Sequence, residues 1–268
     1  MEAHATRADA WAEPKVAPPP AVPLSAVAGS AGGGSDRRPR LTGNALLDAL
    51  GDPERSRLEP LLRRIALTTR QALFEPGQDI QNVWFPVSGV ISLVAAAADH
   101  ASVHVASVGP EGVAGVPLYF GAGSAPNLRA VALMPGVALT LPAGQFVQCL
   151  EQSARMRQLV GWYAHALLTQ AAQEVACNRR HSGLQRCSCW LLVTADRARS
   201  AEFPMTQEFL AELLGTRRAS VVAGARTLQD AGAIRYRRGR ITIADRARLE
   251  AFACGCYPVI RQSLAFAG

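Results

Sequence analysis

Residues 203–249 read FPMTQEFLAELLGTRRASVVAGARTLQDAGAIRYRRGRITIADRARL. Thr206 is a good N-cap, because its hydroxyl accepts a hydrogen bond from a first-turn N–H, and Glu208 sits where the helix dipole favours an acid. Phe209, Leu210, Leu213 and Leu214 form one apolar face. Gly215 stops this helix and takes the left-handed conformation that a tight turn needs. Thr216 is placed to cap a second helix, from about Arg217 to Asp230. Within it Val221, Ala225 and Leu228 share one face, and Arg218, Val222 and Arg226 share another. Helix, glycine turn and helix make the helix-turn-helix skeleton, with Ala211 small where the helices approach and Val221 at their junction. An ordinary helical hairpin uses the same small residues, but the basic start of the second helix favours the DNA-reading form.

Beyond the second helix, Ile234 and Tyr236 alternate with Arg235 and Arg237, Gly239 turns the chain, and Ile241 and Ile243 alternate back, the pattern of a β-hairpin. Arg237, Arg238 and Arg240 crowd its tip. A positive hairpin directly after a recognition helix is a wing that touches the DNA backbone. The candidate DNA contacts are therefore Thr206, Gln207, Arg217, Arg218, Ser220, Val222 and Arg226 on the helix pair, with Arg237, Arg238 and Arg240 on the wing. Double-stranded DNA is the expected partner. The charge agrees: residues 197–268 hold 12 basic and 6 acidic residues, so +6 of the chain's net +7 sits in its last quarter. Such an excess is the footprint of a polyanion site, or of a solvated basic face. Lys15 is the only lysine, so any basic contact here would come from a planar, bidentate guanidinium.

Upstream the character of the chain changes four times. Residues 1–42, with Pro18-Pro19-Pro20 and Gly32-Gly33-Gly34, cannot bury enough apolar surface to offset ordering, and read as a disordered tail. Residues 43–66 carry Leu46, Leu47, Leu50, Leu58, Leu61, Leu62 and Ile65 at helical spacings, interrupted at Gly51-Asp52-Pro53. Residues 70–142 alternate turn signals with strand-like runs (Asn82–Phe85, Val90–Val94, Val103–Val108, Val131–Met134), the pattern of an antiparallel roll or sandwich. Residues 143–180 turn helical again, with no proline to interrupt them. Met156, Val160, Tyr163 and Leu167 follow a three-four alternation, and Leu159, Trp162 and Ala166 broaden the apolar face. A helix this widely apolar must be covered on more than one side. Met156, Val160, Tyr163 and Leu167 are the expected homodimer contacts; a central core helix of a monomer is the other reading. Leu184–Val193 reads as one further helix.

These residues resemble the Crp/Fnr family of bacterial regulators over roughly residues 44–257. The likeness is strongest in the stretch quoted above and is supported by EPGQDIQNVWFPVSGVISLV at residues 75–94. The resemblance implies an α+β protein with an antiparallel β-roll of cyclic-nucleotide-binding type at 43–150, a dimerisation helix at 151–181 and a winged helix-turn-helix at 182–268. It implies a homodimer on palindromic sites, a small-molecule effector of unknown identity, and RNA polymerase as a further partner. Arg218 matches the family's guanine-reading arginine, while Ala219 and Ala223 replace the next two polar readers. The effector-pocket candidates are Gly115, Val116 and Arg129. Cyclic-nucleotide-binding members hold the ribose and phosphate with a Gly-Glu pair and a later Arg-Ser or Arg-Thr pair. Here Val116 stands in place of the glutamate, and Arg129 is followed by Ala130. The oxygen-sensing members carry an N-terminal cysteine cluster, and this chain has no cysteine before Cys149.

Two other readings stay open: a cyclic-nucleotide-responsive regulator with an altered pocket, and a β-roll enzyme with an accessory winged helix. His100, His104 and Glu111 resemble a cupin metal cluster, but residues four apart on a strand lie about 13 Å apart, too far to share one ion. Cys187-Ser188-Cys189 and Cys254-Gly255-Cys256 together offer four thiols, but positions two apart on a helix diverge, so buried free thiols are expected. No catalytic residue, metal or cofactor is assigned. No membrane-spanning segment or secretory signal is expected, which makes the cytoplasm the default location.

Overall fold

The computed structural model describes residues 42–96 and 102–264. The expected tail lies outside these residues except for Thr42, and so does His100. The chain opens with two short helices, α1 (Ala45–Asp48) and α2 (Asp52–Leu58). Asn44 caps α1 by accepting from the Leu47 N–H, and its buried amide donates to the carbonyls of Pro86 and Gly112 at 2.9 Å each. One side chain thus starts a helix and ties it to the strand Asn82–Ala96 and to the turn after the strand Ser102–Val108. The helical spacing of 43–66 does not persist to its end. Pro60 lies in a single 3-10 turn, Glu59–Leu61, and Ile65 then falls in strand β1 (Arg63–Leu67), paired with Ala138. Sheet pairing overrides the local period there.

The roll is an antiparallel sheet of β1, β2 (Ala72–Phe74), β3 (Asn82–Ala96), β4 (Ser102–Val108) and β5 (Leu128–Pro142), in the order β1-β5-β3-β4 with β2 also on β5. The two runs read separately as Asn82–Phe85 and Val90–Val94 form one strand, whose register against β5 shifts between Pro86 and Ile91. The Ser88-Gly89 turn signal is absorbed as bulges, which bend a strand without ending it. Because successive side chains point to opposite faces, β5 serves two cores. Ala130 and Ala132 belong to the roll interior, and Leu133 to the C-terminal core.

Two helices, not one, follow: α3 (Ala143–Gln152) and α4 (Ala154–Arg180). Ser153 breaks them by taking an extended conformation and accepting the Met156 N–H at 3.0 Å. Met156, Val160 and Tyr163, expected to meet a second subunit, are buried against the chain's own roll, and Leu167 packs on the same core. Tyr163 lies directly over Gly112, where a Cβ would fall 1.9 Å from its ring, so the contact needs glycine. Trp162, Leu168 and Val175 are the exposed large apolar side chains of α4.

The C-terminal part packs α5 (Gly183–Ala198), α6 (Gln207–Leu213), α7 (Arg218–Asp230), α8 (Arg246–Phe252) and α9 (Cys256–Gln262) with a sheet ordered β6-β8-β7. Its strands are β6 (Glu202–Pro204), β7 (Ile234–Arg237) and β8 (Arg240–Ile243). The sequence showed the β7–β8 hairpin but not the short edge strand β6. Ser182 and Gln185 form a capping box at the start of α5, whose middle is buried nearly all round, with Trp190, Leu191 and Leu192 at its centre. No helix among the described residues is long and apolar enough to cross a membrane.

Candidate nucleic-acid interface

Local chemistry fixes α6 and α7 as the spacing predicts, with one change. Thr206 caps α6 by accepting the Phe209 N–H at 3.2 Å. Gly215 takes the left-handed conformation, φ +56°, and the Thr216 N–H closes the turn on the Ala211 carbonyl at 2.9 Å. Val221, Ala225 and Leu228 are buried. The N-cap of α7 is Arg217, not Thr216, and no side chain caps this end. The first N–H groups of α7 therefore face outward among exposed Arg217, Arg218, Ala219 and Ser220. An uncapped N-terminus with a positive dipole end and two arginines suits a phosphate or an electron-rich base edge.

Val222 and Arg226 continue the exposed face of α7. Val222 is 41% exposed, an apolar side chain without cover in a basic surface, as a thymine-methyl contact would require. Arg226 lies 3.9 Å from Asp230 with both side chains largely in solvent, a pair too long and too wet to hold the guanidinium back from another anion.

The wing is a two-residue hairpin. Arg237 pairs with Arg240, and Arg238 and Gly239 between them have φ of +50° and +74°. Two successive left-handed residues make the hairpin turn whose twist matches the strands. Arg238 carries a side chain where one is disfavoured, and it is exposed at the tip with Arg237. Arg240 differs from its neighbours because it is held by Glu202 of β6 at 2.6 Å. Wing and helix pair are joined: the Gln207 N–H donates to the Tyr236 hydroxyl at 3.1 Å, the Met205 N–H to the Gly239 carbonyl at 2.7 Å, and the Tyr236 N–H to the Gln229 side chain at 2.9 Å. Gln207 is thus half-buried and engaged through its backbone. In the sequence Tyr236 reads as one more alternating strand residue, and Gln229 carries no signal of this contact.

The effector-pocket candidates separate. Gly115 and Val116 lie in the roll core against Val83, and Val116 is buried. Arg129 is on the other face of β5, paired with Glu75 at 2.8 Å, and lines a hollow with Phe209, Glu212 and Leu213 of α6. The period of two sends Ala130 inward and Arg129 outward.

A second polar centre, invisible in the sequence, joins the roll to the C-terminal part. Arg197 of α5 is buried, 3.1 Å from Glu111, and donates to the Ser107 carbonyl at 3.2 Å and the Gln170 side chain at 2.9 Å. Three groups, from β4, the following turn and α4, thus share one guanidinium carried by α5. Beside it His104 bonds Ser92 at 2.8 Å and packs edge-on to Trp190. Burial, and then the Arg197 charge, push the His104 pKa down to about 3, so the ring is neutral at ordinary pH. Its other ring nitrogen lies 3.4 Å from the Ser107 hydroxyl, so both ring nitrogens have a hydroxyl partner in the core.

A model of the cyclic nucleotide-binding domain matches residues 64–153, and a model of the Crp-like helix-turn-helix domain matches residues 185–252. No curated protein matches the chain in sequence. Among solved structures, FixK2 of Bradyrhizobium japonicum is 15% identical with a TM-score of 0.62, over 72% of this chain and 98% of that one. A CRP-family transcriptional regulator of Thermus thermophilus is 18% identical with a TM-score of 0.59, over 70% and 95%. The c-di-GMP-responsive global regulator CLP of Xanthomonas campestris is 15% identical with a TM-score of 0.59, over 73% and 100%.

Proposed function

The chain belongs to the Crp/Fnr family of transcription regulators, and from that premise we propose that it binds DNA as a homodimer on two-fold symmetric sites. It is a DNA-binding regulator with a domain of cyclic-nucleotide-binding type. The observation that carries the finer reading is the exposed, uncapped and arginine-rich start of α7, with the Arg237–Arg238 wing tip joined to the same helix pair. In a two-fold dimer each α7 enters a major groove, and the half-sites lie one helical turn, about 34–36 Å, apart. Arg218 reads a guanine through O6 and N7; Arg217, Ser220 and Thr206 flank it on the backbone.

The dimer contact moves to the outward stripe of α4. Leu168, Ala172 and Val175 are exposed at steps of four and three, as a helix-to-helix seam requires. The effector of the roll is a small molecule other than a cyclic nucleotide held in the usual way, since Val116 supplies no carboxylate for a ribose and Arg129 is turned toward α6. The Arg197 cluster is the route by which a change in the roll reaches the DNA-reading part. RNA polymerase is the further partner, and the cytoplasm the site of action.

Selection of bound duplexes from a random pool with the purified full chain tests the proposal. The expected outcome is one enriched motif with two-fold symmetry. Enrichment of a single asymmetric half-site would remove the dimer, and no enrichment would remove sequence-specific reading.

A further inference from the structure

Outside the DNA-reading face, four side chains converge where the last turn of α4 meets the α8–α9 junction. Cys177 lies in the last turn of α4 and His181 is the extended residue that caps its end, and Cys254 and Cys256 flank Gly255 at the start of α9. Their ligand atoms all lie within 4.8 Å of one another. Cys177 Sγ is 3.4 Å from Cys254 Sγ, and Cys256 Sγ is 3.6 Å from His181 Nδ1. The two cysteine pairs read in the sequence do not pair with each other. Cys187 and Cys189 of α5 lie outside this group.

We propose that Cys177, His181, Cys254 and Cys256 form a tetrahedral Zn²⁺ site that fastens the winged helix to the end of the long helix. The donor set is three thiols and one imidazole, with no carboxylate, which suits a borderline-soft cation in a closed structural site. Zinc–sulfur and zinc–nitrogen bonds of about 2.3 and 2.0–2.1 Å give tetrahedral edges of about 3.8 Å between sulfurs and about 3.6 Å between sulfur and nitrogen. The two distances above match these edges to within a few tenths of an ångström. The His181 N–H donates to the Cys177 carbonyl at 3.1 Å, which holds the cap residue one turn beyond Cys177. The second pair converges because Cys254 has left α8 and Cys256 opens α9, so the divergence of helical positions two apart does not apply. Packing alone does not account for the cluster. A buried cysteine behaves as a small apolar group, and nothing in such packing calls for three sulfurs to meet at an imidazole nitrogen.

On binding, each of the three thiols loses a proton as its Zn–S bond forms, and the imidazole enters neutral through Nδ1. No electron changes hands. The ion links residue 177 to residues 254 and 256, so α5, α6, α7, the wing and α8 all lie in the loop that it closes. None of the DNA-contact candidates is a ligand.

The test uses the full chain. Metal analysis of the purified protein is expected to find one zinc per chain, and X-ray absorption three sulfurs and one nitrogen at the distances above. Co²⁺ added alone to the metal-free chain is expected to give, at one equivalent, the intense visible bands of a tetrahedral thiolate site. Cys256→Ser and His181→Ala should each weaken and shift those bands, while Cys149→Ser, outside the cluster, leaves them unchanged. A folded wild-type chain without stoichiometric metal, a Cys177–Cys254 disulfide, an iron chromophore, or an oxygen-dominated zinc shell would each overturn the assignment. The absorption measurement on wild-type protein decides even where a variant does not fold, and none of these readouts involves DNA.

Discussion

Arg218 and Arg238 carry the same charge, yet their places assign them different work. Arg218 opens α7, the part of a recognition helix that enters the major groove, where one guanidinium can donate two hydrogen bonds to a guanine. Arg238 sits exposed at the tip of the wing, and on the proposed reading it meets phosphates, which position the protein without reading sequence. Arg218→Ala should therefore cost about 1–3 kcal/mol on the selected site and relax preference at one base pair per half-site. Arg238→Ala should weaken all sequences alike and reduce the slope of log affinity against log salt by about one. Titrations of both variants against single-base changes in the selected site, at several salt concentrations, read the difference; a uniform loss for Arg218→Ala would make it a phosphate contact. Val116 bears on the effector in the same residue-by-residue way. Calorimetry with cyclic AMP and cyclic GMP should find no binding at micromolar concentration, and a micromolar dissociation constant for either would contradict the account. The place of Arg218 at the start of α7 is legible in the sequence because it depends on local signals. That of Arg129 is not, because the strand alternation that turns it toward α6 depends on a sheet shared by two cores.

Among the elements, the helix pair and the hairpin could be read almost to the residue, since caps, a left-handed glycine and an apolar period are local signals. The faces of α4 could not. Its apolar residues spread too widely for the sequence to say which side meets the roll, and the contact of Tyr163 with Gly112 spans 51 positions. Leu168→Glu with Val175→Glu should leave the fold intact, because both side chains are exposed in the single chain, and should yield monomers with sharply weaker DNA binding. Sedimentation of the double variant as a dimer would remove α4 as the interface. The junction of β4 with α5 makes a prediction in pH. The folded His104, with a pKa of about 3 against an ordinary 6.5, stays neutral where the unfolded chain takes up a proton. The stability it contributes is complete above pH 6.5 and is lost as the pH falls toward 3, by up to about 1.4 kcal/mol per pH unit. The neighbouring Arg197 and Glu111 remain in His104→Gln, so the difference between wild type and variant isolates the ring. Denaturant titrations across this range should show a shallower acid limb in the variant; parallel curves would contradict the assignment.

At the scale of the whole molecule, a roll and a winged helix are joined by one long helix, by an outer sheet face packed on α6, and by a buried guanidinium of α5 shared among three other segments. The order of parts was plain from the sequence because turn-rich, long-helical and basic stretches follow one another. The contacts between the parts were not, because they pair residues such as Ser107 with Arg197, 90 positions apart. The central claim is that this assembly reads DNA sequence through α7 and gains affinity from arginine–phosphate contacts. The affinity of the purified full chain for the selected duplex, measured beside a scrambled duplex from low to high salt, tests it most directly. The account predicts tighter binding to the selected site by at least about 10³-fold, with log affinity falling linearly against log salt for both duplexes. Equal affinity for the two duplexes, or binding that salt leaves unchanged, would contradict it.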